Sequence, residues 1–242
     1  MNFVVGRGSS RAETMKRIIQ PELLDTLSPD DPRAVRSRRD LRRINWWMRN
    51  HAIVAAALRS NLPAAPRQIT ELGAGDGNFL LAVAQKMSPL WPNVNATLLD
   101  LKKNVFAETL GALVELGWRA EPVVADVFDW SPPGDAAEAV IANLFLHHFE
   151  DARLAELLQK ISQHAKLFIA VEPQRFRRAF ACAQLLQLIG CNDVTLHDAA
   201  ISIRAGFIGQ EISALWPDKT NWQLTERRAG LFSHLFIARR RE

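Results

Sequence analysis

The sequence has few of the residues and segments that mark disulfide-bonded, metal-binding or membrane-spanning proteins. It contains 2 cysteines in 242 residues, and because Cys182 and Cys191 lie in or near one apolar segment, we interpret them as free core thiols. The sequence contains no CxxC motif, no HExxH motif and no His/Cys cluster, so nothing in it predicts a bound metal. The longest apolar stretches fall well short of the about 20 residues that a membrane helix needs, and the amino terminus lacks a signal-peptide core. We therefore expect a cytoplasmic protein without a membrane span.

Positive charge is concentrated in the amino-terminal segment. Residues 1–66 hold 12 Lys and Arg against 6 Asp and Glu, whereas residues 67–242 hold 18 against 20. Seven arginines occur from Arg33 to Arg49, with Asp40 as the one acid among them. Such a run could bind nucleic acid, but a solvated helix face is the commoner explanation, and we favour it.

The same segment is predicted to be helical. Apolar residues recur at three- and four-residue spacing over 36–59 and predict one helix there. Trp46 lies off this apolar stripe, so it covers a second surface, either a neighbouring helix or the mouth of a ligand site. A proline-containing linker ends the helix. We therefore divide the chain into a helical cap over 1–66 and a main domain over 67–242.

Strand and helix patterns alternate in the main domain. We predict strands at 67–72, 94–100, 120–125, 138–143 and 166–172, with helices at 77–87, 103–117 and 151–162, the last capped by Asp151. This alternation indicates a parallel sheet covered on both faces. A mostly helical insertion over 175–216 precedes two strands around an Ala229-Gly230 turn. The predicted fold class is α/β: a doubly wound, mostly parallel seven-stranded sheet with an antiparallel closing hairpin.

Polar residues follow four of the predicted strands at the points where the strands end. In open α/β sheets, ligands bind at the carboxyl ends of strands, near the point where the strand order reverses. Four polar ends together therefore predict a ligand site, formed by Glu71, Asp100, Asp126 and Asn143.

The first of these ends, within ITELGAGDGNFL, indicates the kind of ligand. Its glycines, Gly73, Gly75 and Gly77, resemble a dinucleotide loop, but the third comes one position early. Glu71 and Asp76 would repel a pyrophosphate by ~1 kcal/mol or more per close pair. A cationic ligand reverses that sign, and S-adenosylmethionine carries a sulfonium and an ammonium group. The glycines still allow close backbone approach.

The other acids suit the adenosine part of this cofactor. Asp100 offers two acceptor oxygens to a ribose diol. Asp126 can accept a hydrogen bond from the exocyclic amine of adenine, with Val127 and Phe128 against the ring.

Taken in order, ELGAGDG, LLDL, ADVFDW, IANLFLHHFED and the closing WQLTERRAGLFSHLFIA resemble the motifs of class I S-adenosylmethionine-dependent methyltransferases. The resemblance covers 67–172 and 220–239, and the basic segment before it is similar to bacterial small-molecule enzymes of this superfamily. It implies a Rossmann-like fold, S-adenosylmethionine as the cofactor and a small-molecule methyl acceptor as the partner. The predicted cofactor-binding residues are Glu71, Gly73, Gly75, Asp76, Asp100, Leu101, Asp126, Val127 and Asn143.

A hydroxyl acceptor would need a general base, for which histidine is suited. Candidates are His147 and His148 after the fourth strand and His197 in the insertion; our hypothesis names His148 or His197. Each could instead be a structural hydrogen-bonding residue. Glu172, at the end of the fifth strand, faces the substrate cavity or forms an ion pair with Arg175.

Apolar residues are frequent in the insertion and predict either a lid over the strand ends or core packing; they are Phe176, Phe180, Leu185, Leu186, Leu188 and Ile189. The lid interpretation predicts a largely apolar acceptor, methylated on oxygen. Two alternatives stay open. One is an RNA or protein methyltransferase that uses the basic helix, and the other is a catalytically silent binding subunit. The sequence does not disclose the oligomeric state.

Overall fold

Helices flank a single sheet in the computed structural model, which describes residues 15–28, 30–132, 137–176 and 186–241. The amino-terminal helices are α1 (Leu23–Thr26), α2 (Pro32–Met48) and α3 (Asn50–Asn61). The first five strands are β1 (Gln68–Leu72), β2 (Asn95–Asp100), β3 (Arg119–Val124), β4 (Ala137–Asn143) and β5 (Ala165–Pro173). The later elements are α4 (Asn78–Met87), α5 (Ala107–Glu115), α6 (Asp151–His164), α7 (Asp193–Ala205), α8 (Glu211–Leu215), β6 (Trp222–Ala229) and β7 (Ser233–Arg240).

The sheet has 7 strands in the order β3-β2-β1-β4-β5-β7-β6. Strands β1 to β5 are parallel, while β7 is antiparallel to both β5 and β6. The strand order reverses between β1 and β4, so the loops after these neighbouring strands diverge and leave a crevice. The predicted doubly wound sheet with an antiparallel closing hairpin is confirmed.

Two apolar clusters cover the two faces of the sheet. One contains Leu58 of α3 and Leu80 of α4, packed with Ile69 of β1. The other contains Leu157 of α6, packed with Phe168 of β5. Because the central strands are buried on both faces, their sequences are continuous apolar runs. The packing of the two clusters holds the strand ends in fixed positions.

The predicted single helix over 36–59 is wrong, because the chain forms two helices that meet at Arg49. Arg49 adopts the left-handed conformation, with φ 56° and ψ 28°. The break lets the buried Asn50 donate a hydrogen bond from Nδ2 to Asn143 Oδ1 (2.8 Å) and accept one at Oδ1 from Ser233 Oγ (2.6 Å). Helix α3 therefore docks on the strand ends in a direction that a continuous helix could not follow.

The predicted cap of α6 is wrong. Glu150 is the N-cap residue of α6, without a side-chain hydrogen bond, and Asp151 instead accepts one from Arg17 at 2.7 Å. In the insertion, α7 is capped by Asn192, whose side chain accepts from the Thr195 N–H at 2.9 Å. The predicted lid residues Phe180 and Leu185, and also Cys182, lie outside the described residues. Cys191 is a buried free thiol.

Within the described part of the chain, no helix combines the length and the apolar composition that crossing a membrane requires.

Candidate active site

A cleft of about 2100 Å³ opens at the carboxyl ends of β1 to β4, with α2 and α3 on its other side. Its volume exceeds the about 300–1,000 Å³ of a usual small-molecule site, so it has room for two ligands side by side. The residues predicted to bind the cofactor all line it: Glu71, Gly73, Gly75, Asp76, Asp100, Leu101, Asp126, Val127 and Asn143.

The glycine loop after β1 needs glycine at Gly73 for steric reasons. Its φ is +67°, and a Cβ there would lie 2.3 Å from Cδ2 of Phe145. Gly75 also has a positive φ, +54°, but nothing lies within 4 Å of its ideal Cβ position. Its N–H donates to Asp100 Oδ2 at 2.8 Å, which ties the loop to the end of β2. The loop backbone therefore borders open space in the cleft.

Acidic groups form the floor of the cleft beside this loop. Glu71 is buried, and its Oε2 has no hydrogen-bond partner. Burial raises the pKa of Glu71 well above its usual value, and the charges of Asp76 and Asp100 add to the effect. Asp76 accepts from the Asn78 N–H at 3.1 Å and pairs with Arg42 of α2 at 3.1 Å. A cation in the cleft would relieve the repulsion among these carboxylates.

Backbone N–H groups orient the acids at the neighbouring strand ends. Lys102 N–H donates to Asp100 Oδ1 at 2.9 Å, and Phe128 N–H donates to Asp126 Oδ1 at 2.9 Å. Because a carboxylate has about four acceptor positions, both groups can still accept from a ligand. Leu101 is 68% exposed and lines the cleft between them, where it offers an apolar surface.

His147 follows β4 in a short 3-10 turn and is held between two glutamates. Its Nδ1 lies 2.8 Å from Glu172 Oε2, and its Nε2 lies 3.6 Å from Glu22 Oε1, which is too long for a direct hydrogen bond. Burial alone would lower the pKa of His147, but the two glutamates outweigh it and raise the pKa to about 9. His147 is therefore protonated at neutral pH, which argues against its predicted role as the base.

Glu172 positions this turn rather than facing the substrate cavity. It is fully buried, and its carboxylate accepts backbone N–H bonds from Phe145 (3.1 Å), Leu146 (2.9 Å) and His147 (3.3 Å). Both predictions for Glu172 are wrong. Glu172 does not line the cleft, and it forms no ion pair with Arg175, which pairs with Glu211 instead.

His148 is the predicted base that reaches the cleft in a neutral form. Its side chain is exposed and lines the cleft. Surrounding protein atoms still remove part of the water around its ring, and this desolvation, followed by the charge of His147, lowers the pKa of His148. The two imidazole rings lie with centroids 4.3 Å apart. His197 is exposed on α7 and does not line the cleft, so the structure does not bring it to the site.

Glu22, His147 and His148 each offer a ligating atom within 4.8 Å of the others, and in the described ranges this is the group that could hold a metal ion. A protonated imidazole does not ligate a metal, and His147 is engaged as a cation with Glu172 and Glu22. This protonation state disfavours a metal at the group. The absence of a bound metal stays a prediction. Sequence reasoning missed Glu22, because no local pattern links the amino-terminal segment to the turn after β4.

Arginines of the basic run dock α2 on the insertion. Arg36 and Arg43 donate to the carbonyl oxygens of Gly190 (3.0 Å) and Ile189 (3.2 Å), so these arginines dock α2 on the insertion.

Trp46 is 69% exposed and lines the cleft, so it covers a ligand mouth rather than a neighbouring helix.

Comparisons with known proteins agree with this architecture. A family model described as a methyltransferase domain matches residues 69–167. The chain therefore contains a methyltransferase domain of the class I fold. A comparison with curated proteins gave no sequence match.

Solved structures similar to this methyltransferase share its fold at low sequence identity. The plantazolicin methyltransferase BpumL in complex with SAH has a TM-score of 0.65 at 13% identity, over 88% of this chain and 92% of that one. Mitomycin 7-O-methyltransferase MmcR has a TM-score of 0.59 at 21% identity, over 90% of this chain and 60% of that one. The pyocyanin biosynthetic protein PhzM has a TM-score of 0.57 at 17% identity, over 88% and 60%.

These findings confirm the superfamily that the motifs indicated. The methyltransferase domain also bears out the prediction of an enzyme and of S-adenosylmethionine as its cofactor. The assignment of individual residues to parts of the cofactor stays a prediction.

Proposed function

We propose that this methyltransferase transfers a methyl group from S-adenosylmethionine to a hydroxyl group of a small, largely apolar acceptor, with His148 as the general base. The observation that carries the proposal is a histidine with a lowered pKa that faces the cleft directly after β4. A base that is already neutral at pH 7 can accept a proton without first losing one.

The order of the strand ends supports an orientation for the cofactor. Asp126, Asp100 and Glu71 follow β3, β2 and β1, which are neighbours in the sheet. Asp126 and Asp100 would hold the adenosine, and Glu71 would face the cationic end beside Asn143. The acceptor would then occupy the part of the cleft between the end of β4 and α2, where His148 lies.

The chain's own residues have three tasks in the reaction. When bound, S-adenosylmethionine supplies a methyl group that its sulfonium already activates. Helices α2 and α3 and the turn after β4 exclude water and align the acceptor oxygen. His148 takes the hydroxyl proton while the acceptor oxygen gains the methyl group, whose bond to sulfur breaks with both electrons left on sulfur, so that S-adenosylhomocysteine is the leaving group. His148 later releases that proton to solvent. Glu172 and His147 position the turn that carries this base.

Exposed apolar side chains at the cleft support an apolar acceptor. Val35, Trp46, Trp47, Phe106 and Leu231 are each more than half exposed, and all of them line the cleft. Large exposed apolar groups that gather at one cavity mark a binding surface. Oxygen as the acceptor atom agrees with the name of one similar structure, a 7-O-methyltransferase.

The test compares His148→Asn with His197→Asn. A panel of hydroxylated aromatic compounds identifies an acceptor for the wild type, and kcat is then measured from the S-adenosylhomocysteine formed. We expect His148→Asn to lower kcat by about 10²- to 10⁴-fold with unchanged affinity for S-adenosylmethionine. His197→Asn is the control and should keep full activity. The proposal fails if His148→Asn turns over like the wild type, or if RNA alone is methylated.

A further inference from the structure

The charges of the cleft leave one part of the cofactor without a partner. Glu71 and Asp76 line its floor and suit a sulfonium and an ammonium group. The same carboxylates would repel the cofactor's own carboxylate by ~1 kcal/mol or more per close pair. A complete cofactor site therefore needs a cation at the end of the cleft opposite the adenosine.

Most cations that line the cleft already have partners or lie at the adenosine end. Arg42 pairs with Asp76 at 3.1 Å, and Lys102 lies 3.8 Å from Asp25. Arg153 pairs with Glu156 and lies over the ring of Phe128, 3.6 Å from its centroid. Arg38 also has an interaction, and Arg227 donates a hydrogen bond to a backbone carbonyl oxygen. Lys103 is close in sequence to Asp100, which places it at the adenosine end of the cleft.

Arg49 differs from these residues. It lines the cleft, and among the described residues its guanidinium has no ion pair and no hydrogen-bond partner. Its left-handed backbone costs about 1–2 kcal/mol for a residue with a Cβ. The docking of Asn50 on Asn143 and Ser233 holds this conformation, which places the Arg49 side chain at the junction of α2 and α3.

The position of Arg49 suits the methionine end of the cofactor. Its chain neighbour Asn50 donates to Asn143, the last residue of β4. Lys86 is a further positive charge nearby: burial, and then the charges of Lys86 and Arg49, lower the pKa of His51. Asn45, one helical turn before Arg49, also lines the cleft, and its Oδ1 is buried without a partner. An amide oxygen only accepts hydrogen bonds, so it suits the ammonium group next to the cofactor's carboxylate rather than the carboxylate itself.

We propose that Arg49 forms a carboxylate-binding subsite at the junction of α2 and α3, that its ligand is the carboxylate of the cofactor's methionine moiety, and that Asn45 Oδ1 accepts from the neighbouring ammonium group. This inference rests on S-adenosylmethionine as the cofactor. It assigns to the amino-terminal helices a direct part in holding the cofactor, in addition to covering the cleft.

The test uses Arg49→Asn, because asparagine tolerates the left-handed backbone while removing the charge. Calorimetry measures the binding of S-adenosylmethionine and of decarboxylated S-adenosylmethionine, which lacks only the carboxylate. We expect the variant to bind S-adenosylmethionine about 10- to 100-fold more weakly, as for a lost charge-assisted hydrogen bond, and to bind the decarboxylated ligand as the wild type does.

Two further variants separate this effect from damage to the fold. Arg49→Gly removes the charge and also relieves the backbone strain, so its melting temperature should not fall, while its ligand discrimination should match that of Arg49→Asn. Arg59→Asn, on the exposed side of α3 outside the cleft, should bind both ligands normally. Equal losses for both ligands, or no loss for either, would overturn the proposal. If the wild type bound neither ligand, the cofactor assignment would fall with it.

Discussion

The protonated His147 makes a prediction about stability that can be worked out from the structure. The pKa of His147 is raised from 6.5 to about 9 because Glu172 and Glu22 outweigh the effect of burial. Between these two values, the folded protein holds one proton more than the unfolded chain does. The free energy of unfolding should therefore fall by about 1.4 kcal/mol per pH unit.

Over the whole window the loss amounts to about 3 kcal/mol, which is a large fraction of a typical folding free energy. The contribution is fully present below pH 6.5 and is lost as the pH rises through about 9. The neighbouring groups that face this ring are Glu172, Glu22 and His148. Since the pKa of His148 is lowered, its own titration lies below this window.

The assay is urea unfolding of the wild type and of His147→Asn at a series of pH values from 6.5 to 9.5. Asparagine keeps an amide donor toward Glu172 but cannot titrate. The variant should be less stable at pH 6.5, because it leaves a buried carboxylate without its cation. It should also lack the pH slope of the wild type. Parallel stability curves for the two proteins would refute the reasoning, whatever their offset.

Three further predictions concern residues at and after the end of β1 that line the cleft. Gly73→Ala should unfold the protein or lower its melting temperature strongly, because the new Cβ would lie 2.3 Å from Phe145. Gly75→Ala should cost only about 1–2 kcal/mol of stability, but it should weaken S-adenosylmethionine binding because its Cβ enters the open space of the cleft. A larger loss of melting temperature for Gly75→Ala than for Gly73→Ala would contradict this. Because burial and the charges of Asp76 and Asp100 raise the pKa of Glu71, a bound cation should lower that pKa and release a proton. Calorimetry in buffers of different ionisation enthalpy should detect that proton for the wild type and not for Glu71→Gln, and equal proton release by both would exclude Glu71 as its source.

The fold, and the strand-end residues that line the cleft, could be read from the sequence. Apolar periodicity is a local property, so it located the five parallel strands to within one or two residues. The glycines and acids after β1 and β2 are also local signals. Their chemistry depends on the sheet only through the rule that parallel strands end at one edge.

Contacts between distant segments could not be predicted in this way. The break at Arg49 follows from the docking of Asn50 on Asn143 and Ser233, which helix periodicity cannot encode. The roles of the histidines were likewise decided by tertiary structure. One glutamate from β5 and one from the amino-terminal segment make His147 a cation, and the charge of His147 in turn lowers the pKa of His148. A residue's type and its place in the chain determine which chemistry it can perform, whereas its charge state depends on burial and on the charges that folding brings beside it.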